Sequence, residues 1–233
     1  VADIYPAVSE ITAEILRTFP EPRGLRFLEV GAGTGREGHA FAQRGALVTL
    51  LDISSEALRL SREVSSLPQF VRGNALEAPF PSETFDLVYH QGLLEHFREP
   101  MPLLRENHRL LKPGGYLLVD VPQRYHFYTV MKHALMAAGK WFAGWETEFS
   151  PVELERVVQA AGFTVERRYG YAMHPGLTYR LFREVGKKCG WKLPMYPSLG
   201  PLYRGWHSLV KRVERRRAGH YLVVSVGVVA RKR

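Results

Sequence analysis

The chain has 233 residues, 45% of them hydrophobic and 24% charged, with a formal net charge of +9. That composition excludes a disordered chain, a collagen-like fibre and a disulfide scaffold, and it predicts a single globular domain over residues 1–233. The one cysteine, Cys189, has no partner for an internal bridge, which points to a reducing compartment.

Residues 1–24 are expected to hold an N-terminal helix. The first fifteen residues carry Asp3, Glu10 and Glu14 and no basic segment, so no signal peptide is expected. Leu25–Val30 reads as a buried strand that ends in a glycine turn, and Arg36–Arg44 as the helix behind it. Ala46–Leu51 is a second strand ending at Asp52, followed by a helix over Ser55–Glu63 and a short strand near Gln69–Arg72. Phe85–His90 is the fourth strand and Met101–Leu111 a helix. The run Lys112-Pro113-Gly114-Gly115 predicts a tight turn into a strand over Tyr116–Val121. These alternations argue an α/β fold with an open, mostly parallel sheet covered on both faces.

Two stretches exceed that minimal pattern. Residues 123–149 form an apolar insertion expected to be helical. Its most apolar part, Phe127 to Trp145, is interrupted by Lys132, His133 and Lys140, so nothing reaches the ~20 apolar residues that span a bilayer. The reading is a soluble, cytoplasmic protein. Ser150-Pro151-Val152-Glu153 then gives a capping box with proline in the first turn, and Gly162 stops the helix. Phe163–Tyr169 is a strand, and Tyr221–Ala230 a long final one. Between them, residues 171–220 hold 11 basic side chains and only Glu184 and Glu214, whereas residues 1–170 balance at −3. This second insertion carries the apolar stripes Leu177/Leu181/Val185 and Leu202/Trp206/Leu209/Val213, read as a lid packed on the sheet edge. An aromatic-rich lid suits a hydrophobic acceptor. A basic amphipathic helix also suits peripheral contact with an anionic membrane, on the inner face.

The loop Glu29-Val30-Gly31-Ala32-Gly33-Thr34-Gly35-Arg36 carries the most chemistry. Glycines after a strand let the backbone approach a ligand, but a dinucleotide fingerprint wants a third glycine where Arg36 stands. A nicotinamide oxidoreductase is set aside on that ground.

With Asp52, Arg72-Gly73-Asn74-Ala75, Phe85-Asp86-Leu87-Val88 and Leu110-Leu111-Lys112-Pro113-Gly114-Gly115 following in order, the chain resembles the class I S-adenosylmethionine-dependent methyltransferases. The resemblance runs from about residue 25 to 170. It implies a Rossmann-like, doubly wound, seven-stranded sheet with its last strand antiparallel, and S-adenosyl-L-methionine as cofactor with S-adenosyl-L-homocysteine as product. It implies cofactor contacts at Gly31, Ala32, Gly33 and Gly35. Asp52 would accept both ribose hydroxyls and Ile53 would lie on the adenine face. Asn74 and Ala75 stand in a motif that often reads Gly-Asp-Ala, with the Asn74 amide oxygen taking over the aspartate's part. Glu29 is expected to reach the methionine end. Arg36 either pairs with the methionine carboxylate or lies on the helix surface. Asp86 is read as a structural strand carboxylate.

The segment past the fourth strand, His90 to His96, falls at the carboxyl end of the sheet. His90 and Gln91 are placed at the cofactor. The run Gln91-Gly92-Leu93-Leu94-Glu95-His96 resembles the Leu-Glu-His segment of quinone-biosynthesis O-methyltransferases and their small-molecule (type 11-like) relatives. In some of those an upstream glutamate binds a divalent metal; Gly92 stands in its place, so no metal is expected. His96 is the candidate general base, against a purely structural histidine at a helix start, with His126, His133 and His174 behind it. The expected reaction is methyl transfer to a small, hydrophobic or aromatic acceptor, oxygen before nitrogen or carbon. The alternatives are a non-catalytic cofactor-binding protein and a nucleic-acid methyltransferase using the basic insertion. Nucleic acid is disfavoured, because Tyr89-His90-Gln91-Gly92 lacks the Asn/Asp-Pro-Pro-Tyr of adenine methylases and no cysteine follows the fourth strand.

Overall fold

The computed structural model describes residues 9–139, 146–171, 177–191, 219–221 and 223–233. Helix α1 (Glu10–Thr18) starts at Ser9, whose hydroxyl accepts the Thr12 N–H. Then come β1 (Arg26–Val30), α2 (Arg36–Gln43), β2 (Leu47–Asp52), α3 (Ser55–Val64), β3 (Gln69–Arg72), β4 (Phe85–Gln91), α4 (Met101–Leu110) and β5 (Leu111–Pro122). The later elements are α5 (Phe127–Ala137), α6 (Pro151–Ala160), β6 (Phe163–Tyr171), α7 (Leu177–Lys188) and β7 (Ser225–Lys232).

The seven strands lie in the order β3-β2-β1-β4-β5-β7-β6. The first five pair in parallel, and β7 runs antiparallel to both β5 and β6. Side chains alternate across each strand, and the two faces feed two separate cores. Leu28, Val88 and Val119 pack with Leu104 of α4 and Leu154 of α6. Phe27, Tyr89 and Leu118 pack on the other face with Ile15 of α1, Phe41 of α2 and Leu58 of α3. This is the doubly wound Rossmann-like architecture, with the antiparallel strand at the place expected.

Several local readings hold. Ser150 and Glu153 exchange both capping-box hydrogen bonds at the start of α6, and Gly162 follows its end with φ +97°. Asp86 takes the Arg26 N–H at 2.8 Å and the Lys112 ammonium at 2.7 Å, a strand-locking part.

Others change. Lys112-Pro113-Gly114-Gly115 is not a turn before a strand but lies within β5. Phe85 faces Leu111 and Leu87 faces Tyr116, so the extra residues bulge out of the ladder. The final strand begins at Ser225, with Gly219–Tyr221 in a short 3-10 turn ahead of it. On α7, Val185 is 54% exposed and does not pack as the lid reading expects. His174 and the stripe Leu202/Trp206/Leu209/Val213 lie outside the described residues. No helix among the described residues is long and apolar enough to cross a membrane.

Candidate active site

Strand order reverses about β1, so the carboxyl ends of β1 to β4 open onto one crevice, where open α/β sheets hold ligands. β1 leads into Gly31, Gly33 and Gly35, with φ of +64°, +54° and +66°, a left-handed path that side chains with a Cβ resist. The Gly35 N–H donates to the Ala32 carbonyl at 2.7 Å, and the Ala32 N–H to the Leu51 carbonyl at 3.1 Å. A Cβ on Gly33 would meet nothing within 4 Å, whereas one on Gly31 would stand 2.9 Å from Leu93 of the loop after β4. The loop is therefore held on one side and open on the other.

Asp52 closes β2 beside it. Its Oδ2 accepts the Gly33 N–H at 2.7 Å and its Oδ1 the Ser54 N–H at 2.8 Å. Each carboxylate oxygen has a second lone pair, so both keep room for an O–H donor. Ile53 is 71% exposed, an apolar side chain offered to solvent at the crevice edge. Past β3, Asn74 Oδ1 accepts the Leu76 N–H at 3.0 Å in an Asx turn, while Ala75 packs half-buried on the core. These eight expected cofactor residues thus line the carboxyl ends of β1, β2 and β3.

Glu29 and Arg36 are held differently. Glu29 is buried, and its Oε2 accepts the Gly38 N–H and the Tyr89 hydroxyl, both at 2.9 Å. Burial, then the Glu37 charge, pushes its carboxyl up to about 8, with Tyr89, Gly38 and Arg36 pulling the other way. Arg36 is exposed and pairs through Nε with Glu37 Oε1 at 2.9 Å. It lies on the surface of α2.

The expectation for His90 is corrected. On β4 it points with Val88 into the α4 side of the sheet, is wholly buried, and meets Asn107 Nδ2 at 3.0 Å through Nε2. Burial drives its pKa down to about 3, so it stays neutral inside the fold. Gln91 is on the opposite face and exposed, and its Nε2 donates to the Tyr171 hydroxyl at 3.1 Å.

Leu94–His96 is a single 3-10 turn. It sets His96 in solvent and turns Glu95 inward, the reverse of the emphasis on the histidine. Burial raises the Glu95 carboxyl to about 7; its own backbone N–H and Lys132 oppose the shift, and Glu146 adds to it. Asp120, near the carboxyl end of β5 and opposite Gln91, is 1% exposed. Its pKa stands well above the carboxylate range, chiefly through burial and then Glu95. Sequence reasoning placed Glu95 near the site without a role and passed over Asp120. The signal was there: Asp120 is the one charge in the apolar run Tyr116 to Val121.

The other histidines are engaged elsewhere. His133 lies 3.1 Å from Glu148 Oε2, and His126 is half-buried with its pKa lowered by burial. Among the described residues no three His, Cys, Asp or Glu side chains are grouped to hold a metal ion.

The donor set fits a nucleoside with a cationic tail: a carboxylate with spare lone pairs for vicinal hydroxyls, an exposed apolar side chain for a base, and carboxyl groups beyond. Residues 28–119 match the family described as Methyltransferase domain. The chain is 29% identical over 197 residues to the demethylmenaquinone methyltransferase of Listeria monocytogenes, covering 70% of this chain and 78% of that protein. It is 30% identical over 164 residues to the ubiquinone biosynthesis O-methyltransferase of Ruegeria pomeroyi, covering 65% of each. The fold is shared with magnesium protoporphyrin IX methyltransferase from Synechocystis PCC 6803 with bound SAH, at a TM-score of 0.62 and 14% identity over 96% of this chain and 81% of that one. The methyltransferase-domain match and the similarity to named methyltransferases support an S-adenosylmethionine-dependent methyltransferase, on a sheet of the same Rossmann-like order.

Proposed function

We propose that the chain methylates a hydroxyl oxygen on a small, hydrophobic, quinone-type aromatic acceptor. The observation that carries this reading is the similarity to a demethylmenaquinone methyltransferase and to a ubiquinone biosynthesis O-methyltransferase. The aromatic content of residues 125–145 supports an apolar ring as acceptor. A nucleic-acid substrate and a non-catalytic binding protein are not favoured.

S-adenosylmethionine supplies an electrophilic methyl group on a sulfonium sulfur. Asp52 accepts the ribose hydroxyls while holding Gly33 in place, and Ile53 covers one face of the base. Gly31 and Gly33 let the backbone approach the nucleoside. Glu29 meets the cationic amine of the methionine end. Holding donor and acceptor in line supplies most of the rate, since orientation alone is worth on the order of 7–11 kcal/mol. Incubation with the cofactor and a panel of short-chain catechols and quinols, followed by mass spectrometry, tests the reading. An O-methylated product with one equivalent of S-adenosylhomocysteine is expected. Methylation at carbon or nitrogen only would overturn it.

A membrane contact accompanies this proposal. Phe182 and Trp191 are 52% and 53% exposed, with ring centroids 5.9 Å apart, in the basic segment where Lys187 pairs with Glu184 at 2.7 Å. An apolar pair edged by cations suits an anionic bilayer that dissolves the acceptor. Co-sedimentation with anionic liposomes should weaken with salt and with F182A/W191A. Equal binding to neutral liposomes would exclude it.

A further inference from the structure

Two buried carboxyl groups flank the loop after β4, and each has an oxygen without a hydrogen-bond partner: Glu95 Oε2 and Asp120 Oδ2. Glu95 is 4% exposed, and its carbonyl accepts the Thr147 N–H at 2.8 Å, which anchors the 3-10 turn. Gly92 lies between the two groups. Its N–H donates to the Asp120 carbonyl at 3.0 Å, and a Cβ there would stand 3.5 Å from Glu95 Oε1. Tyr171 and Ser225 flank Asp120 and favour its charged form, while Glu37 and Glu95 oppose it. Lys132 and Glu146 act on Glu95 with opposite sign.

A buried acceptor oxygen without a donor is costly, and the surroundings of this loop carry two of them. A bound group that brings a hydrogen to this place removes that cost. Repulsion between the carboxyls and their burial also keep a proton in the pair near neutrality, with Glu95, at about 7, the one poised to exchange it.

We propose that Glu95 is the catalytic proton acceptor for the hydroxyl of the methyl acceptor and that Asp120 is its positioning residue. The inference rests on the O-methylation reading above. Glu95 Oε2 takes the hydroxyl proton. The oxygen's electron pair forms the bond to the methyl carbon, and the carbon–sulfur pair returns to sulfur. A carboxylate and a sulfonium become a carboxylic acid and a thioether, with an ether as product.

The test compares wild type, E95Q and D120N with two phenols, one of ordinary pKa and one nitro-substituted and already ionised near neutrality. E95Q should lose at least ~100-fold in kcat on the first, the usual scale of general-base catalysis, and less than roughly tenfold on the second, which needs no base. Its affinity for S-adenosylhomocysteine should stay within about twofold, since Glu95 has no part in cofactor binding. Isotope-edited infrared of the wild type, without turnover, should show a Glu95 carboxylic acid titrating near neutrality, and D120N, which exchanges one uncharged neighbour for another, should leave that titration in place while lowering kcat on the first phenol more than on the second. Equal losses on both phenols, or a Glu95 that titrates as an ordinary carboxylate, would overturn the inference while leaving O-methylation standing. A wild type that methylates neither hydroxyl would overturn both.

Discussion

The Gly33 N–H donates to Asp52 Oδ2 at 2.7 Å, so the carboxylate that closes β2 also shapes the loop that closes β1. In the proposed cofactor site, one side chain would thereby couple the conformation of the cradle to the place of the ribose. Asp52→Ala removes the acceptor for Gly33, the acceptor for Ser54 and the carboxylate proposed to take the hydroxyls. A charge-assisted hydrogen bond contributes about 1.5–3 kcal/mol, so calorimetry should find S-adenosylhomocysteine bound roughly ten- to a hundredfold more weakly. Affinity equal to wild type would remove Asp52 from the cofactor site.

Gly227 of β7 pairs across the sheet with Asp120 on one side and Tyr169 on the other. A Cβ at Gly227 would stand 2.2 Å from Cζ of the Tyr169 ring, which packs in the core shared with Leu118 and Val229. Gly227→Ala should therefore cost about 1–3 kcal/mol by overpacking. Adding Tyr169→Leu should return part of that loss, because the smaller side chain vacates the place the methyl needs. Urea unfolding of the two single variants and the double variant reads the coupling; strict additivity would mean the strain lies elsewhere.

Much of this architecture is legible in the sequence because it is local. The capping box at Ser150 and Glu153, the glycine turn after β1 and the acidic end of β2 are each specified by a few adjacent residues. What was misread depends on direction or distance. Alternation along β4 puts His90 and Gln91 on opposite faces, so they cannot both look into one crevice. A 3-10 turn advances about 120° per residue, which separates buried Glu95 from exposed His96. The Lys112–Gly115 run has every mark of a turn, and only its partner strand, which accommodates it as a bulge, decides otherwise. Asp120 and Glu95 stand 25 positions apart in the chain, and nothing local announces that the charge of Glu95 acts on Asp120.

Lys132 is the most instructive of the non-local cases. In the sequence it interrupts an apolar stretch, yet on α5 it is wholly buried, with Nζ 2.8 Å from Glu146 Oε2 and 2.5 Å from Glu148 Oε1. It ties α5 to the segment that also holds the Glu95 turn through Thr147. Lys132→Met would leave two carboxylates without their shared counter-charge, and removing one partner of a buried ion pair costs about 3–5 kcal/mol. The triple variant K132M/E146Q/E148Q should recover much of the loss, because no uncompensated charge remains. Chemical unfolding of the single and triple variants checks this, and equal stabilities for wild type and K132M would show that the ion pairs contribute nothing net.

Glu29 gives the fold a pH dependence of definite sign. Its carboxyl is raised from 4.5 to about 8 in the folded chain, so between those values the folded state holds a proton that the unfolded chain has released. Stability therefore falls as pH rises through this window, by at most about 1.4 kcal/mol per unit for one group, and levels off above it. Glu29→Gln keeps an oxygen for the Gly38 N–H and has no proton to lose, so its urea-unfolding free energy should decline less steeply from pH 5 to 8 than that of wild type. The raised carboxyls of Glu95 and Asp120 act with the same sign in both proteins, and the difference in slope isolates Glu29. The same proton links to function. A cofactor amine that meets Glu29 favours its carboxylate, so binding near pH 7 should release up to about one proton, read by calorimetry in buffers of unlike ionisation enthalpy. Parallel unfolding slopes would show that Glu29 does not titrate in this range. A proton count near zero that is unchanged by Glu29→Gln would place the amine elsewhere.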